Sequence, residues 1–270
     1  MSAASPVPLV VKLGGSVLTR KGEDRRARPK VIQRLASELA EGLRESPQPL
    51  LLVHGAGSFG HPAALKYRLS QAPSKEGSWA GRARGAALTA WGVRELHQSV
   101  LRALLDAGLP VFSVPPFPMM ENRQGRFAGL SLAPFERILA GGGIPVTFGD
   151  VVLDEGWGFA ILSGDTLVGE LARGVGSRRA LFVSDVPGVL EDRRPGPMRI
   201  VRTLSDGTVE SLTPTPGVPD VTGGLRGKVS VMLDLARQGV SCGLISGLTP
   251  GLVSRALQGE EVYGSWARPS

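Results

Sequence analysis

Short apolar runs that stop dead at glycine recur along this chain, and that junction limits its possible folds more than any other feature. Leu50-Leu51-Leu52-Val53 runs through His54 into Gly55-Ala56-Gly57-Ser58-Phe59-Gly60-His61, and residues 7–13 run into Gly14-Gly15-Ser16. A run of this length, apolar at all or nearly all positions, reads as a strand buried on both faces. Glycine at its end lets backbone N–H groups approach an anion closely, so each junction is a phosphate cradle in waiting. His61 closes the longer loop with a side chain that can donate to a phosphate oxygen or hold a proton near neutral pH.

Between the junctions the periodicity turns helical. Residues 30–43 carry Val31, Ile32, Leu35, Leu39 and Leu43 behind Pro29, and residues 62–69 read as a short helix. One long helix spans 82–107, with a stripe of Leu88, Val93, Leu96, Val100, Leu101, Leu104 and Leu105; Trp91 and His97 lie on it, the histidine read as a surface or satisfied residue rather than a ligand. Gly108 ends it and a strand follows at 109–114, then a Pro- and Met-rich loop at 115–130, a helix at 132–140 and a strand at 144–148 closed by Gly149-Asp150. Residues 151–161 read as a hairpin turning at Asp154-Glu155-Gly156. In the second half a helix opens at Ser163-Gly164-Asp165-Thr166, and a strand at 180–184 ends at Asp185. An excursion fills 191–219, with a hairpin expected from 199–204 and 209–212; Val221 to Lys228 opens a helix to about Arg237, and a strand at 240–245, a short helix from Pro250 and a strand near Val262 close the chain. Strands alternating with helices predict a largely parallel sheet covered on both faces, in one compact unit.

A net charge of +7 and a pI near 10.2 invite a nucleic-acid reading, but the arginines are scattered over helix faces without a basic stripe interleaved with aromatics. More telling is the split of 25 arginines to 6 lysines, three of which, Lys12, Lys21 and Lys228, fall in or beside Gly-rich turns. A compact ammonium that can follow a moving phosphoryl group is not replaceable by a planar guanidinium. The single cysteine, Cys242, fits a reducing cytoplasm, and no apolar stretch approaches a membrane span.

Gly55, Gly57 and Gly60 spell G-x-G-x-x-G, yet the region 20 residues on offers Ser74-Lys75-Glu76-Gly77 and no second strand, so a dinucleotide fold does not fit. Gly227-Lys228 resembles the end of a Walker loop, but Val229 stands where a hydroxyl is required. What remains is a set of glycine turns at strand ends with lysines at three of them and Asp165 and Asp185 at two more. Phosphoryl transfer asks for little else, since it depends on in-line positioning and positive charge around the transferring group.

Lys12-Leu13-Gly14-Gly15-Ser16, the FGD at 148–150, the SGD at 163–165, Asp185-Val186-Pro187-Gly188-Val189 and Val221 to Lys228 together resemble the amino acid kinase superfamily over nearly the whole chain. Within it, HGAGSFGH at 54–61 and FGDVV at 148–152 are similar to the isopentenyl phosphate kinases. Pro187 and Leu225 depart from the usual pattern at positions away from the chemistry. The resemblance implies an open αβα sandwich with a largely parallel central sheet, a phosphate acceptor bound by residues 1–162 and ATP by residues 163–270. It also implies transfer of the γ-phosphoryl group of ATP to isopentenyl monophosphate, Mg²⁺ carried on the nucleotide rather than by a protein metal site, and a homodimer. In that pattern Lys12 and Lys21 stabilise the transferring group, Asp165 organises the lysines, and Ala56, Gly60, His61, Gly149, Asp150 and Gly164 lie against the acceptor phosphate. The nucleotide meets Lys12, Gly14, Gly15, Ser16, Gly57, Asp185, Gly224 and Lys228, and the acceptor's tail is expected against the long helix and the hairpin, with Val151 and Ile161 in its wall. A fosfomycin-type phosphonate kinase shares these features, and a non-catalytic metabolite sensor would share the fold without needing the lysines.

Overall fold

The computed structural model describes residues 7–73, 79–191, 199–212 and 224–269. The chain starts with β1 (Leu9–Leu13), makes a single helical turn α1 (Gly15–Leu18), and enters α2 (Pro29–Glu45), whose proline needs no N–H at the first helical position. It returns as β2 (Leu50–His54), crosses a 3₁₀ turn (Gly57–Phe59) and α3 (His61–Lys66), and runs along α4 (Trp79–Asp106), which ends at Gly108 with φ +82° before β3 (Val111–Ser113). Then come α5 (Pro116–Met119), β4 (Met120–Arg123), β5 (Arg126–Leu130), α6 (Ala133–Ala140), β6 (Ile144–Phe148), β7 (Asp150–Glu155) and β8 (Gly158–Leu162). The rest comprises α7 (Gly164–Gly174), β9 (Arg179–Ser184), β10 (Leu190–Glu191), β11 (Arg199–Ile200), α8 (Asp206–Ser211), α9 (Gly224–Arg237), β12 (Ser241–Ser246), α10 (Leu252–Leu257) and β13 (Gly264–Ala267).

Seven strands form the main sheet in the order β13-β12-β9-β1-β2-β6-β3, parallel throughout except for β13. The chain builds outward from β1 through β2 in one direction and, after α7, from β9 in the other. The order therefore reverses beside β1, and in such sheets ligands bind outside the strand C-termini at that reversal. Leu35, Leu39, Leu96, Val100, Val253 and Leu257 of α2, α4 and α10 cover one face; Phe135, Leu167, Leu171, Met232 and Leu235 of α6, α7 and α9 cover the other. This is the three-layer αβα sandwich with the largely parallel sheet that the strand and helix pattern predicts.

Strand alternation sorts β1 between the layers. Leu9, Val11 and Leu13 pack with α2 and α4, and Val10 packs with α7 and α9. Lys12, two residues after Val10, shares its face.

Three sequence expectations fail. Residues 115–130 are not a plain loop: β4 and β5 form a hairpin joined by Gln124 and Gly125, both with positive φ, a tight turn spelled Gln-Gly where Asn-Gly would have signalled it. Residues 209–212 are not a strand, because Ser205 and Thr208 form a capping box that starts α8. Leu88 and Leu105 of the expected α4 stripe are exposed, while Gly85, Thr89 and His97 take buried places instead. Residues 192–198 of the excursion and Val221, Thr222 and Gly223 of the late glycine turn lie outside the described residues. Among the described residues no helix is long and apolar enough to cross a membrane.

The two glycine junctions lean on each other. A Cβ on Gly55 would sit 2.5 Å from the Gly15 backbone N, and one on Gly15 would overlap the Gly57 backbone. Both glycines are thus needed for contact between main chains, which no flexible side-chain end can yield. Gly15→Ala is expected to lower unfolding stability by at least about 3 kcal/mol through overpacking. Gly108→Ala, with positive φ but nothing within 4 Å of its added Cβ, should cost only about 1 kcal/mol. Urea unfolding of the two variants side by side checks the difference.

Candidate functional site

The C-terminal end of β1 carries a buried charge cluster. Lys12 Nζ lies 2.6 Å from Asp165 Oδ1, and Lys228 Nζ lies 2.8 Å from the same oxygen. Each partner arrives by a local rule. Alternation puts Lys12 on the α7 side of the sheet. Ser163 caps α7 by accepting from the Thr166 N–H, which sets Asp165 in the first turn, where a helix favours negative charge. Lys228 sits in the second turn of α9, its ammonium 5.6 Å above the Phe182 ring of β9.

One carboxylate cannot neutralise two ammoniums, so the cluster holds an excess positive charge away from water. Burial works to raise the Asp165 pKa, but the two lysines overcome it and hold the carboxyl well below its usual range. Lys12 is pushed down to about 8, by burial first and by the Lys228 charge, with Asp165 opposing. Such a site is short of one anion.

The backbone around the cluster is close-set. Gly14 N–H donates to the Val183 carbonyl of β9, where a side chain at Gly14 would stand 2.9 Å from that oxygen. A Cβ on Gly164 would stand 3.0 Å from Lys12 Cε, and one on Gly149 2.9 Å from the Gly164 N. Glycine at 164 therefore gives Lys12 its path past the start of α7, and glycine at 149 lets the FGD and SGD turns touch. Gly57, at φ +52°, is crowded by Thr19, whose Oγ1 accepts from the Ser58 N–H and donates to the Gly15 carbonyl. Gly224 starts α9.

Asp165 does not hold Lys21. Lys21 Nζ pairs instead with Asp185 Oδ2 at 2.9 Å, while Ser16 Oγ donates to Asp185 Oδ1 at 2.6 Å. The reason is tertiary: residues 19–28 form a loop closed by the Thr19–Ala27 bridge, which lets Lys21 reach Asp185 just past the end of β9, while Asp165 is taken by Lys12 and by Lys228 of α9. Burial raises the Asp185 pKa, but hydrogen bonds from Ser16 and Lys21 bring it below its ordinary value. Lys21 is mostly exposed and borders a groove of about 1020 Å³ that Arg20, Arg25, Arg28 and Lys30 also line.

On the other side of Lys12, Gly60 packs against Ala56 and Val93, and His61 stands at the first position of α3. Asp150, the first residue of β7, is buried and paired with Arg94 of α4 at 3.0 Å, while its Oδ1 has no partner among the described residues. Burial raises its pKa to about 6 against the pull of Arg94. Val151 and Ile161 face each other across the β7–β8 hairpin and join an apolar cluster with Ala64 of α3, Ala86 of α4, and Tyr67 and Leu69 from the segment after α3. Arg82 fastens that cluster, donating to the carbonyls of Arg68, Leu69, Trp157 and Phe159.

Arg94 and His54 were not among the site residues expected from the sequence; His97, read there as a surface or satisfied residue, is buried and satisfied by His54 and Ser113. The signal for His54 was available: it is the one polar residue of the otherwise apolar strand β2, at an inward-facing parity. Its ring bonds to His97, and burial lowers His54 to about 4 and His97 to about 2.

Two measurements follow from these charges. Asp165→Asn leaves two ammoniums face to face, and is expected to cost about 3–5 kcal/mol at pH 7. Asp165 raises the Lys12 pKa, so without it that pKa falls further below about 8 and the variant sheds the Lys12 proton at lower pH than the wild type; the loss should therefore be larger at pH 6 than at pH 8, as denaturant unfolding at the two pH values would read. In the wild type, both histidines have folded pKa values below the unfolded 6.5, so their stability is present above 6.5 and lost as pH falls. Asp150 is raised and acts oppositely between about 6 and 3.8. Two protons against one leave a net loss of about 1.4 kcal/mol per pH unit near pH 5. Asp150→Asn removes the opposing group and should make that acid loss steeper.

Residues 8–246 match the amino acid kinase family. An isopentenyl phosphate kinase of Methanothermobacter thermautotrophicus is 37% identical over 263 residues, covering 95% of this chain and 97% of that protein. One from Haloferax volcanii is 35% identical, covering 92% and 98%. A crystal structure of an isopentenyl phosphate kinase superposes with a TM-score of 0.82 at 33% identity, covering 96% of this chain and 99% of the other. With the glycine junctions, the lysine cluster and this match along nearly its full length, the chain belongs to the amino acid kinase family.

Proposed function

We propose that this protein transfers the γ-phosphoryl group of ATP to the phosphate of isopentenyl monophosphate, giving isopentenyl diphosphate. The observation that carries the reading is the excess positive charge of Lys12 and Lys228 on the single Asp165 carboxylate, at the point where the strand order reverses. The relatives of similar length named isopentenyl phosphate kinases support the choice of acceptor.

In this reading the acceptor phosphate lies between Ala56, Gly60, His61, Gly149 and Gly164, and its oxygen attacks the γ-phosphorus in line. Asp150 supports that side through Arg94, and the isoprenoid tail runs toward Val151 and Ile161. ATP enters over Gly224 and Asp185, with its phosphates along Gly14 to Ser16 and Gly57. Lys12 and Lys21 take up charge on the transferring oxygens, and Lys228 holds the nucleotide's phosphates. Fixed cations of this kind act most strongly where water is excluded. Asp165 is saturated by two ammoniums, so the local donors suit phosphate oxygens, and Mg²⁺ travels on the nucleotide and offsets part of its charge. The homodimer and cytoplasmic setting that the resemblance implies belong to the same proposal.

ATP turnover with isopentenyl phosphate, dimethylallyl phosphate and fosfomycin as separate acceptors tests it. Isopentenyl phosphate is expected to give the highest kcat/KM, and His61→Ala to lower it by about 10–100-fold, the size of one lost hydrogen bond to a charged group. Preference for fosfomycin would overturn the acceptor and leave the kinase. No turnover with any of the three would sink the assignment.

A further inference from the structure

His54 ends β2 on the face where Leu50 and Leu52 pack against α4. Its Nδ1 lies 3.1 Å from the Gly55 carbonyl oxygen, its Nε2 2.9 Å from His97 Nδ1, and His97 Nε2 2.7 Å from Ser113 Oγ. A carbonyl oxygen can only accept, so His54 carries its proton on Nδ1. In a neutral ring Nε2 then accepts, which makes His97 donate from Nδ1 and accept from the Ser113 hydroxyl. One backbone carbonyl thereby sets the direction of the whole chain. Burial keeps both rings neutral, and Phe148 packs against them with centroids 5.2 and 4.3 Å away, its ring also 5.9 Å from the Arg94 guanidinium.

The Gly55–Ala56 peptide is planar and trans, so its C=O and N–H point in opposite directions. Fastening the oxygen to a buried ring turns the Ala56 N–H away from the core. Among the described residues that N–H has no hydrogen-bond partner. We infer that His54 is a positioning residue: through the Gly55 carbonyl it holds the Ala56 N–H as a donor to the acceptor's phosphate, an inference that rests on the acceptor site proposed above. His97 and Ser113 follow the tautomer that the carbonyl sets and hold the His54 ring in place. Charge on His54 plays no part, which distinguishes it from His61 at the other end of the same loop.

Nitrogen-15 NMR of the imidazoles in the wild-type protein between pH 5.5 and 8 reads the first half of the claim. His54 and His97 should both stay Nδ1–H across that range; an Nε2–H tautomer of His54, or its titration there, overturns the inference without any assay. Steady-state kinetics of His54→Phe and His54→Asn read the second half. An asparagine amide nitrogen can stand where Nδ1 stood and donate to the same carbonyl, whereas phenylalanine keeps the volume and loses the donor. His54→Phe should raise KM for isopentenyl phosphate at least 10-fold with KM for ATP within twofold, and His54→Asn should recover most of that. Equal shifts in both KM values, or folded His54→Asn as impaired as His54→Phe, would overturn it. If His54→Phe does not fold, His54→Asn alone decides: near-wild-type acceptor KM supports the inference and a 10-fold rise ends it. If the wild type does not phosphorylate isopentenyl phosphate, the functional proposal has failed, and the positioning claim is read from the Ala56 amide proton on adding inorganic phosphate. A downfield shift in wild type that is absent in His54→Phe supports it, and the same shift in both proteins refutes it.

Discussion

Two ammoniums share one carboxylate oxygen beneath the sheet's C-terminal edge, and much of this structure exists to make that arrangement possible. A buried ion pair is an indifferent source of stability, because desolvation consumes most of the attraction. A buried trio with one charge left over is worse, and a fold would be more stable with apolar residues in its place. In the proposed function an anion would recover that cost, since the same low dielectric that penalises the lone charge would strengthen its hold on phosphate oxygens. Strand alternation for Lys12, the Ser163 cap for Asp165 and the packing of α9 on Phe182 for Lys228 are three unrelated local devices that meet at this point.

The glycines serve that meeting in two different ways. Gly55 and Gly15 are required by each other, since their main chains touch where any Cβ would intrude. Gly164 is required by Lys12, which passes over it to reach Asp165. The loop glycines are therefore first a packing device, and the approach of backbone to ligand follows from having two loops so near. Counting glycines as phosphate contacts one by one would miss this.

A second layer of polar order lies behind the loops. The His54–His97 pair is buried and neutral and is hydrogen-bonded onward to the exposed Ser113, so its ring nitrogens are satisfied, which is the condition under which a polar network specifies geometry rather than weakening a core. Asp150 is its counterpart on β7, with one oxygen on Arg94 and one without a partner among the described residues.

The strands, most helices and the glycine junctions were legible because each is written locally: apolar runs of strand length, a helical period in residues 30–43, a cap at Ser163. The Gln124-Gly125 turn was not, because glutamine does not announce a left-handed backbone as asparagine does. Nor was the fate of residues 209–212, where a capping box overrode β-prone side chains. From the sequence alone came the αβα class and the three lysines set in or beside glycine turns, two of which the fold brings onto one aspartate. Which aspartate each lysine takes, Asp165 for Lys12 and Lys228 but Asp185 for Lys21, was decided only by the tertiary structure, which sets β1 beside β9 and brings α7 and α9 to its end. So was the pairing of His54 with His97, 43 positions apart. Backbone periodicity is a property of neighbours in sequence, whereas a charge or a tautomer is set by whatever the sheet brings alongside.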